Sequence, residues 1–406
     1  MKFEYPILQG EEYLEHFAAL PDYKSPAYCT MIVDCRNDAY LMDIVHTYAV
    51  DFWEYRRVMR REYGFVVVAE NHIGENHFVT LKDDERMVTL IFIPSRANTK
   101  IIVEPLRELP KKTTEPYERI CSSELVTVGH KDNGSMTFVL RLADGKFILV
   151  DGGWQHETAD TVLEVMRKLA PDPQNLTIAA WIITHPHGDH IGAFIGMAEK
   201  HLGEVTIESL IYNFPCREQG DVRTQKLAGA SDGLERRIKE KYSDIPVYKP
   251  HPGCQFQFAN LKIEILSTHE LHYPPMPSLK NDCCLFMRWE IDGQVIMFPA
   301  DSSSNSNHTI AQMYGTYLRC DILQADHHGN FGGTMEINTM FSPHTVIYLC
   351  PESDFHDRFR FSDYNMCLFN NPNYKESIVV GSRIVAMPLP YEAGTSYIIE
   401  DIELPK

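Results

Sequence analysis

The sequence predicts an α+β fold in two units: a small N-terminal α+β domain over residues 1–118, and a larger unit over 119–406 built as a sandwich of two mixed sheets with outer helices. Three observations lead there. Residues 65–103 read as a meander of strand-like runs separated by polar turns. From residue 119 onward, short strands alternate with amphipathic helices. Within that alternation the apolar run 178–183 has a buried strand's composition and ends in Thr184-His185-Pro186-His187-Gly188-Asp189-His190. Pro186 and Gly188 forbid a regular helix through this cluster, and a helical pattern over 191–202 follows, so the stretch reads as strand, sharp loop, helix.

In the N-terminal unit, residues 50–63 carry a helical stripe of Phe52, Tyr55, Val58 and Met59. Strands are expected at 65–68, 77–81, 87–93 and 100–103, with turns at 82–85 and 95–98. His72 and His77 flank a Gly-containing turn and read as solvated loop residues. Residues 109–116, rich in Pro, Thr and charge, read as a linker.

In the second unit, strands at 125–129 and 136–142 meet across a turn at 131–134, where Asn133-Gly134 is a hairpin signal. A strand at 146–150 ends in Asp151-Gly152-Gly153. Residues 158–170 form an amphipathic helix with Val162, Val165, Met166 and Leu169 on one face. Further strands are expected at 205–214, 256–258, 261–266, 285–290, 294–299, 321–324, 346–349, 378–380 and 394–399, with a charged helix at 234–242.

Composition bounds the function. The apolar share of 44% and charged share of 23% are those of a soluble globular protein. The N-terminus lacks the apolar core of a secretory signal, and no run is long enough to span a bilayer. The ten cysteines show neither metal-knuckle nor disulfide-framework spacing, which fits reduced thiols in a cytoplasm. The formal charge of −18 repels phosphate backbones and speaks against a nucleic-acid partner.

Three imidazoles and a carboxylate within the six residues 185–190 are a donor set for Zn²⁺, Fe²⁺ or Mn²⁺. Residues two apart in extended backbone point the same way, so His185 and His187 can share one metal. Asp189 and His190, past the bend, can face a second.

His-x-His-x-Asp-His at 185–190 resembles the signature of the metallo-β-lactamase-fold hydrolases. The resemblance covers residues 119–350 and implies a four-layer αββα sandwich with the metals at one sheet edge. It implies that Asp151 orients the histidine loop while its two glycines permit close backbone approach. It places Asp301, in Pro299-Ala300-Asp301-Ser302, between the two metals, with Ala300 standing where the family usually has Gly. His327-His328-Gly329 resembles the branch that includes the metal-dependent domains of bacterial DNA-uptake competence proteins and related phosphodiesterases. One of that pair would bind metal, with His328 favoured, and His327 would orient substrate or act as general acid. His269 stands where many members carry a third imidazole for the first metal, with His272 the fallback.

These implications describe a bacterial hydrolase with two divalent ions, Zn²⁺ in the first instance and Mn²⁺ or Fe²⁺ as alternatives. A metal-bridging hydroxide would attack phosphorus or a carbonyl carbon, and Asp189 would orient it as well as bind metal. The branch favours a phosphoester or phosphodiester of a small substrate; a thioester, lactone or β-lactam is the alternative within the class. Two other classes compete. One is a binding protein that keeps the fold and has lost catalysis. The other is a di-iron oxidoreductase, whose relatives usually replace the second loop histidine by Glu and add a flavin domain, whereas His187 stands here. The N-terminal unit is expected to shape substrate access or a homodimer contact.

Overall fold

The computed structural model describes residues 10–23, 27–109, 116–130, 134–215, 222–274 and 280–404. The expected linker at 109–116 and turn at 131–134 fall mostly on 110–115 and 131–133, outside the described residues. The fold is α+β, with three sheets and helices packed outside them.

Two of the sheets form the sandwich. One runs, in spatial order, Val247–Tyr248, Leu210–Ile211, Thr177–Ile182, Phe147–Asp151, Thr137–Arg141, Ser123–Val128, Ile384–Leu389 and Tyr397–Ile398. The other runs Gln255–Phe258, Leu261–Ser267, Phe286–Ile291, Gln294–Phe298, Ile322–Gln324, Thr345–Tyr348 and Glu376–Val379. Both are mixed: Thr177–Ile182 is parallel to Phe147–Asp151, and Gln294–Phe298 is parallel to Ile322–Gln324, while the hairpin partners are antiparallel. Between them lies a core of Leu140, Ile148, Ala180 and Ile182 from the first, and Ile263, Met287, Trp289 and Phe298 from the second. The helices Thr158–Leu169 and Gly188–Lys200 cover the far side of the first with Val162, Met166, Phe194 and Met197 against Leu149 and Trp181. Strands buried on both faces lose the in–out alternation of a half-exposed strand, which is why 178–183 reads as a continuous apolar run.

The N-terminal sheet is antiparallel, in the order Tyr28–Asp34, Tyr40–Val45, Asn98–Pro105, Arg86–Ile93, Asn76–Lys82, Val66–Ile73. One face packs on the helix Ala49–Arg61 through Phe52, Tyr55 and Met59. The other places Met31, Leu41, Phe78, Ile91 and Ile102 in one core with Leu266, Phe286, Met297, Ile310 and Tyr348 of the sandwich. The sandwich and the N-terminal sheet are thus joined by shared apolar burial. His72 and His77, expected in a solvated loop, sit on adjacent strands, opposite one another, with His72 exposed as expected.

The strands of the sandwich fix where the chemistry lies. Leu261–Ser267, Gln294–Phe298 and Ile322–Gln324 all run the same way, because the first and second are separated by one antiparallel strand and the second and third are parallel. His269, Asp301 and His328 follow those three strands and so lie along one sheet edge. Among the described residues no helix is long and apolar enough to cross a membrane, and the nine described cysteines form no disulfide.

Candidate metal centre

The site is built on Asp151. Its carboxylate, buried at the end of its strand, accepts from Thr184 N at 2.8 Å, Thr184 Oγ1 at 2.7 Å and His190 Nδ1 at 2.7 Å. The loop beyond it presses on the helix Gly188–Lys200: Gly192 N donates to Gly153 O at 2.7 Å and Ala193 N to Gly152 O at 2.6 Å. A Cβ on Gly192 would stand 2.6 Å from backbone atoms of residues 153–155, so the helix can seat only with glycine there.

Two groups of donor atoms result, each with its members within 4.8 Å of one another: Asp189, His190, Asp301 and His328, and then His185, His187 and Asp301. Asp301 belongs to both. Its Oδ2 lies 3.3 Å from His190 Nε2, 3.8 Å from His185 Nε2 and 3.7 Å from His327 Nε2, and its Oδ1 lies 3.5 Å from His328 Nε2. His328 Nε2 is also 3.4 Å from Asp189 Oδ2, and His185 Nε2 is 2.8 Å from His187 Nδ1. The cluster is open on one side, where the side chains of Asp189 and His327 keep 16% and 29% of their surface exposed while Asp301 keeps 1%.

The backbone is constrained where it delivers these groups. Asp151, Ala300, His327 and His328 all have positive φ, of 58°, 55°, 45° and 60°. Left-handed non-glycine residues cost energy and cluster where a side chain must be aimed. Ala300 occupies a left-handed position, which explains why glycine suits it. It is held by Gln324, whose Oε1 accepts from Ala300 N at 2.8 Å and whose Nε2 donates to Ala300 O at 3.1 Å. The sequence gives no sign of this role, because a buried glutamine inside a short strand looks like any polar break.

The donor set fits divalent cations. Burial pushes the His185 imidazole well below its ordinary pKa, so it stays neutral with a lone pair to give. Burial opposes charge on His190 too, but Asp301, Asp151 and Asp189 overcome it and raise its pKa. Burial opposes ionisation of Asp301, yet His328 and His190 hold it ionised. Asp301 Oδ1 and both ring nitrogens of His328 are buried and make no hydrogen bond. Imidazole nitrogens and carboxylate oxygens converging with unmet bonding capacity are what Zn²⁺, Mn²⁺ or Fe²⁺ requires.

The structure does not bring His269 into either group. It is buried, stacked edge-on to Tyr273, and its Nε2 lies 3.1 Å from Asn213 Oδ1. Asn213 Nδ2 donates to Pro250 O at 2.9 Å and Glu270 Oε1 at 3.0 Å, which fixes the amide so that Oδ1 faces the histidine. His269 Nε2 therefore carries the proton, while its Nδ1 is buried without a hydrogen bond. Burial lowers its pKa to about 3. Glu270 continues the network to His251, whose Nδ1 lies 2.8 Å away, and His251 Nε2 lies 3.0 Å from Glu104 Oε1 of the N-terminal sheet. The fallback, His272, is 3.1 Å from Ser267 Oγ instead.

Residues 131–271 match the family model of the metallo-beta-lactamase superfamily. The match includes the histidine loop and His269 and stops before Asp301 and His328. No curated protein sequence matches the chain. Solved structures similar to this chain include the metallo-beta-lactamase fold protein YhfI from Bacillus subtilis, at 14% identity and a TM-score of 0.41, covering 64% of this chain and 98% of that one. Another is CmlA, a diiron beta-hydroxylase from Streptomyces venezuelae, at 14% identity and a TM-score of 0.40, covering 71% of this chain and 55% of that one. Yeast PDE1 is similar at 11% identity and a TM-score of 0.37, covering 65% of this chain and 99% of that one.

Proposed function

We propose that this chain is a metal-dependent hydrolase acting on a phosphoester or phosphodiester of a small substrate. The observation that carries the reading is Asp301, one buried carboxylate shared by two donor groups at the open edge of the sandwich. His185, His187 and Asp301 would hold one divalent ion, and Asp189, His190, Asp301 and His328 a second. When bound, such a pair supplies an acidified water as nucleophile and charge stabilisation for the substrate oxygen.

The protein's own groups do the rest. Asp189, partly open, orients the attacking water and accepts its hydrogen bond. His327 has its pKa lowered by burial, so it faces substrate as a neutral ring and serves by donating an N–H hydrogen bond rather than by carrying charge. Its Nε2, 3.7 Å from Asp301 Oδ2, puts that donor beside the reacting centre. The His327-His328-Gly329 turn, resembling the phosphodiesterase-containing branch, supports phosphorus over carbonyl carbon. The charge of −18 favours a small substrate over a polynucleotide. Zinc as the resident metal, a cytoplasmic setting, a division at residue 118 and a dimer contact belong to the same proposal.

The test is metal content by mass spectrometry on protein purified without added metal or chelator, followed by a screen of nitrophenyl phosphodiesters, thioesters and lactones. About two ions per chain, falling on His187→Ala, with phosphodiester turnover, is the expected result. No metal even after reconstitution would sink it. Iron as the main metal would turn the reading to redox chemistry.

A further inference from the structure

A second cluster of imidazoles lies on the N-terminal sheet, on elements that contribute nothing to the centre above. His72 and His77 are directly opposed across the hairpin Val66–Ile73 and Asn76–Lys82, one residue pair from its turn. Opposed residues of an antiparallel pair project from the same face. Their Nδ1 atoms face one another at 2.5 Å.

Each ring is held from behind. His72 Nε2 lies 3.3 Å from Glu70 Oε1, two residues back on the same face, and Glu70 Oε2 is gripped by Arg56 at 2.6 Å. A nitrogen turned to a carboxylate carries the proton, so the Nδ1 of His72 carries its lone pair. His77 rests among aromatic rings, with Trp53 4.8 Å and Phe52 5.8 Å from its centroid. Burial, then the neighbouring His72, lowers its pKa and keeps it neutral near pH 7. The arrangement has features of metal-binding histidines: one imidazole backed by a carboxylate, a second fixed by packing, and their two Nδ1 atoms brought together.

We propose that His72 and His77 form a separate surface site for an imidazole-preferring divalent cation of the Cu²⁺ or Zn²⁺ class, with Glu70 orienting His72 and water completing the coordination. Without the cation the two nitrogens share a single proton, one donating and the other accepting. With it, metal–nitrogen bonds of about 2.0 Å need the nitrogens about 3.3 Å apart at the tetrahedral angle of Zn²⁺ and about 2.8 Å apart at the right angle that Cu²⁺ prefers. His72 keeps 46% of its side chain exposed, so the rings can part by that margin and water can reach the ion. Neutral imidazoles with water favour Cu²⁺ most strongly among the divalent ions of the first row.

The experiment uses the full chain with its main centre already loaded with zinc, titrated with Cu²⁺ and followed by electron paramagnetic resonance, with zinc counted in parallel. The expected result is one added Cu²⁺ per chain, with nitrogen hyperfine from two imidazoles and no zinc displaced. His77→Ala and His72→Asn should each weaken that binding at least tenfold and remove one nitrogen from the spectrum, leaving the zinc count unchanged. Glu70→Gln should weaken it by about tenfold, as losing the carboxylate behind a ligating histidine does. Wild-type affinity and spectrum in both histidine variants, or no Cu²⁺ taken up beyond the main centre, would overturn the proposal.

Discussion

His190 Nδ1 lies 2.7 Å from Asp151 Oδ2, and this contact decides which nitrogen of His190 faces the cluster. The other nitrogen, Nε2, is thereby turned to Asp301 at 3.3 Å and Asp189 at 3.7 Å. The same carboxylate also ties down Thr184, the residue before His185. One side chain therefore positions both ends of the histidine loop. Asp151→Asn replaces an acceptor by an amide that can turn a donor towards His190. Metal affinity should fall by about ten- to a hundredfold while the fold persists. Chelator competition with circular dichroism checks this; wild-type retention of metal would mean that the helix alone positions His190.

Asp189 separates a hydrolase from a binding protein. It is the partly exposed carboxylate of its donor group, and its Oδ2 sits 3.4 Å from His328 Nε2. Asp189→Ala should lower kcat by at least about a hundredfold, the scale of losing a positioned proton-handling group. The loss should exceed any fall in metal content, measured on the same preparation. Unchanged turnover by a clean preparation would remove the catalytic reading.

What was legible in the sequence follows from how local each signal is. The histidine loop, its strand and its helix are contiguous, so motif and secondary structure reinforce each other over residues 177–200. Asp301 and His328 were legible through strand-end motifs. The strand Ile384–Leu389 was not: it contains Pro388 and pairs with Ser123–Val128, more than 250 residues away in the chain, and nothing local announces that partner. The helix Ser304–Tyr314 was missed because Ser, Asn and His dominate its outer turns, leaving Ile310, Met313 and Tyr314 as a thin stripe. Tyr28–Asp34 and Tyr40–Val45 lie between polar breaks and form a sheet only by pairing with one another and with Asn98–Pro105. For His269, position in the chain and burial at the sheet edge agree with the family pattern, but its hydrogen bond runs to Asn213.

The route from Glu104 through His251 to Glu270 crosses from the N-terminal sheet to the sandwich in fully buried groups. Removing one partner of a buried hydrogen-bonded network leaves the others unsatisfied, at a cost of about 1–3 kcal/mol. Glu270→Ala should reach that range in urea denaturation. Glu104→Ala should show a coupling energy with it of at least about 0.5 kcal/mol in a double-mutant cycle. Strict additivity would mean that the two carboxylates act independently. For the same reason, deleting residues 1–118 should yield aggregating protein rather than a trimmed enzyme, since it bares Leu266, Phe286 and Met297; a soluble, monodisperse truncation would contradict the shared core.

His130 offers a pH test away from the metal ligands. It is buried, its Nε2 makes no hydrogen bond, and burial lowers its pKa to about 4 from the ordinary 6.5. Gly153 keeps this space: at φ +70° it lacks a Cβ that would stand 2.5 Å from His130 Nε2. A histidine whose pKa is lower folded than unfolded binds fewer protons in the native state across the window between the two values. Stability therefore rises with pH through that window. It falls as pH drops below 6.5 and levels off below about 4, at a total of about 3 kcal/mol. His130→Gln cannot titrate and should flatten the slope by about 2–3 kcal/mol between about pH 7.5 and about pH 4.5. The comparison is made by urea denaturation on chelator-treated protein, so that release of metal ions in acid contributes nothing. Equal slopes in the two proteins would show that His130 is solvated in the native state and that its burial does not resist protonation.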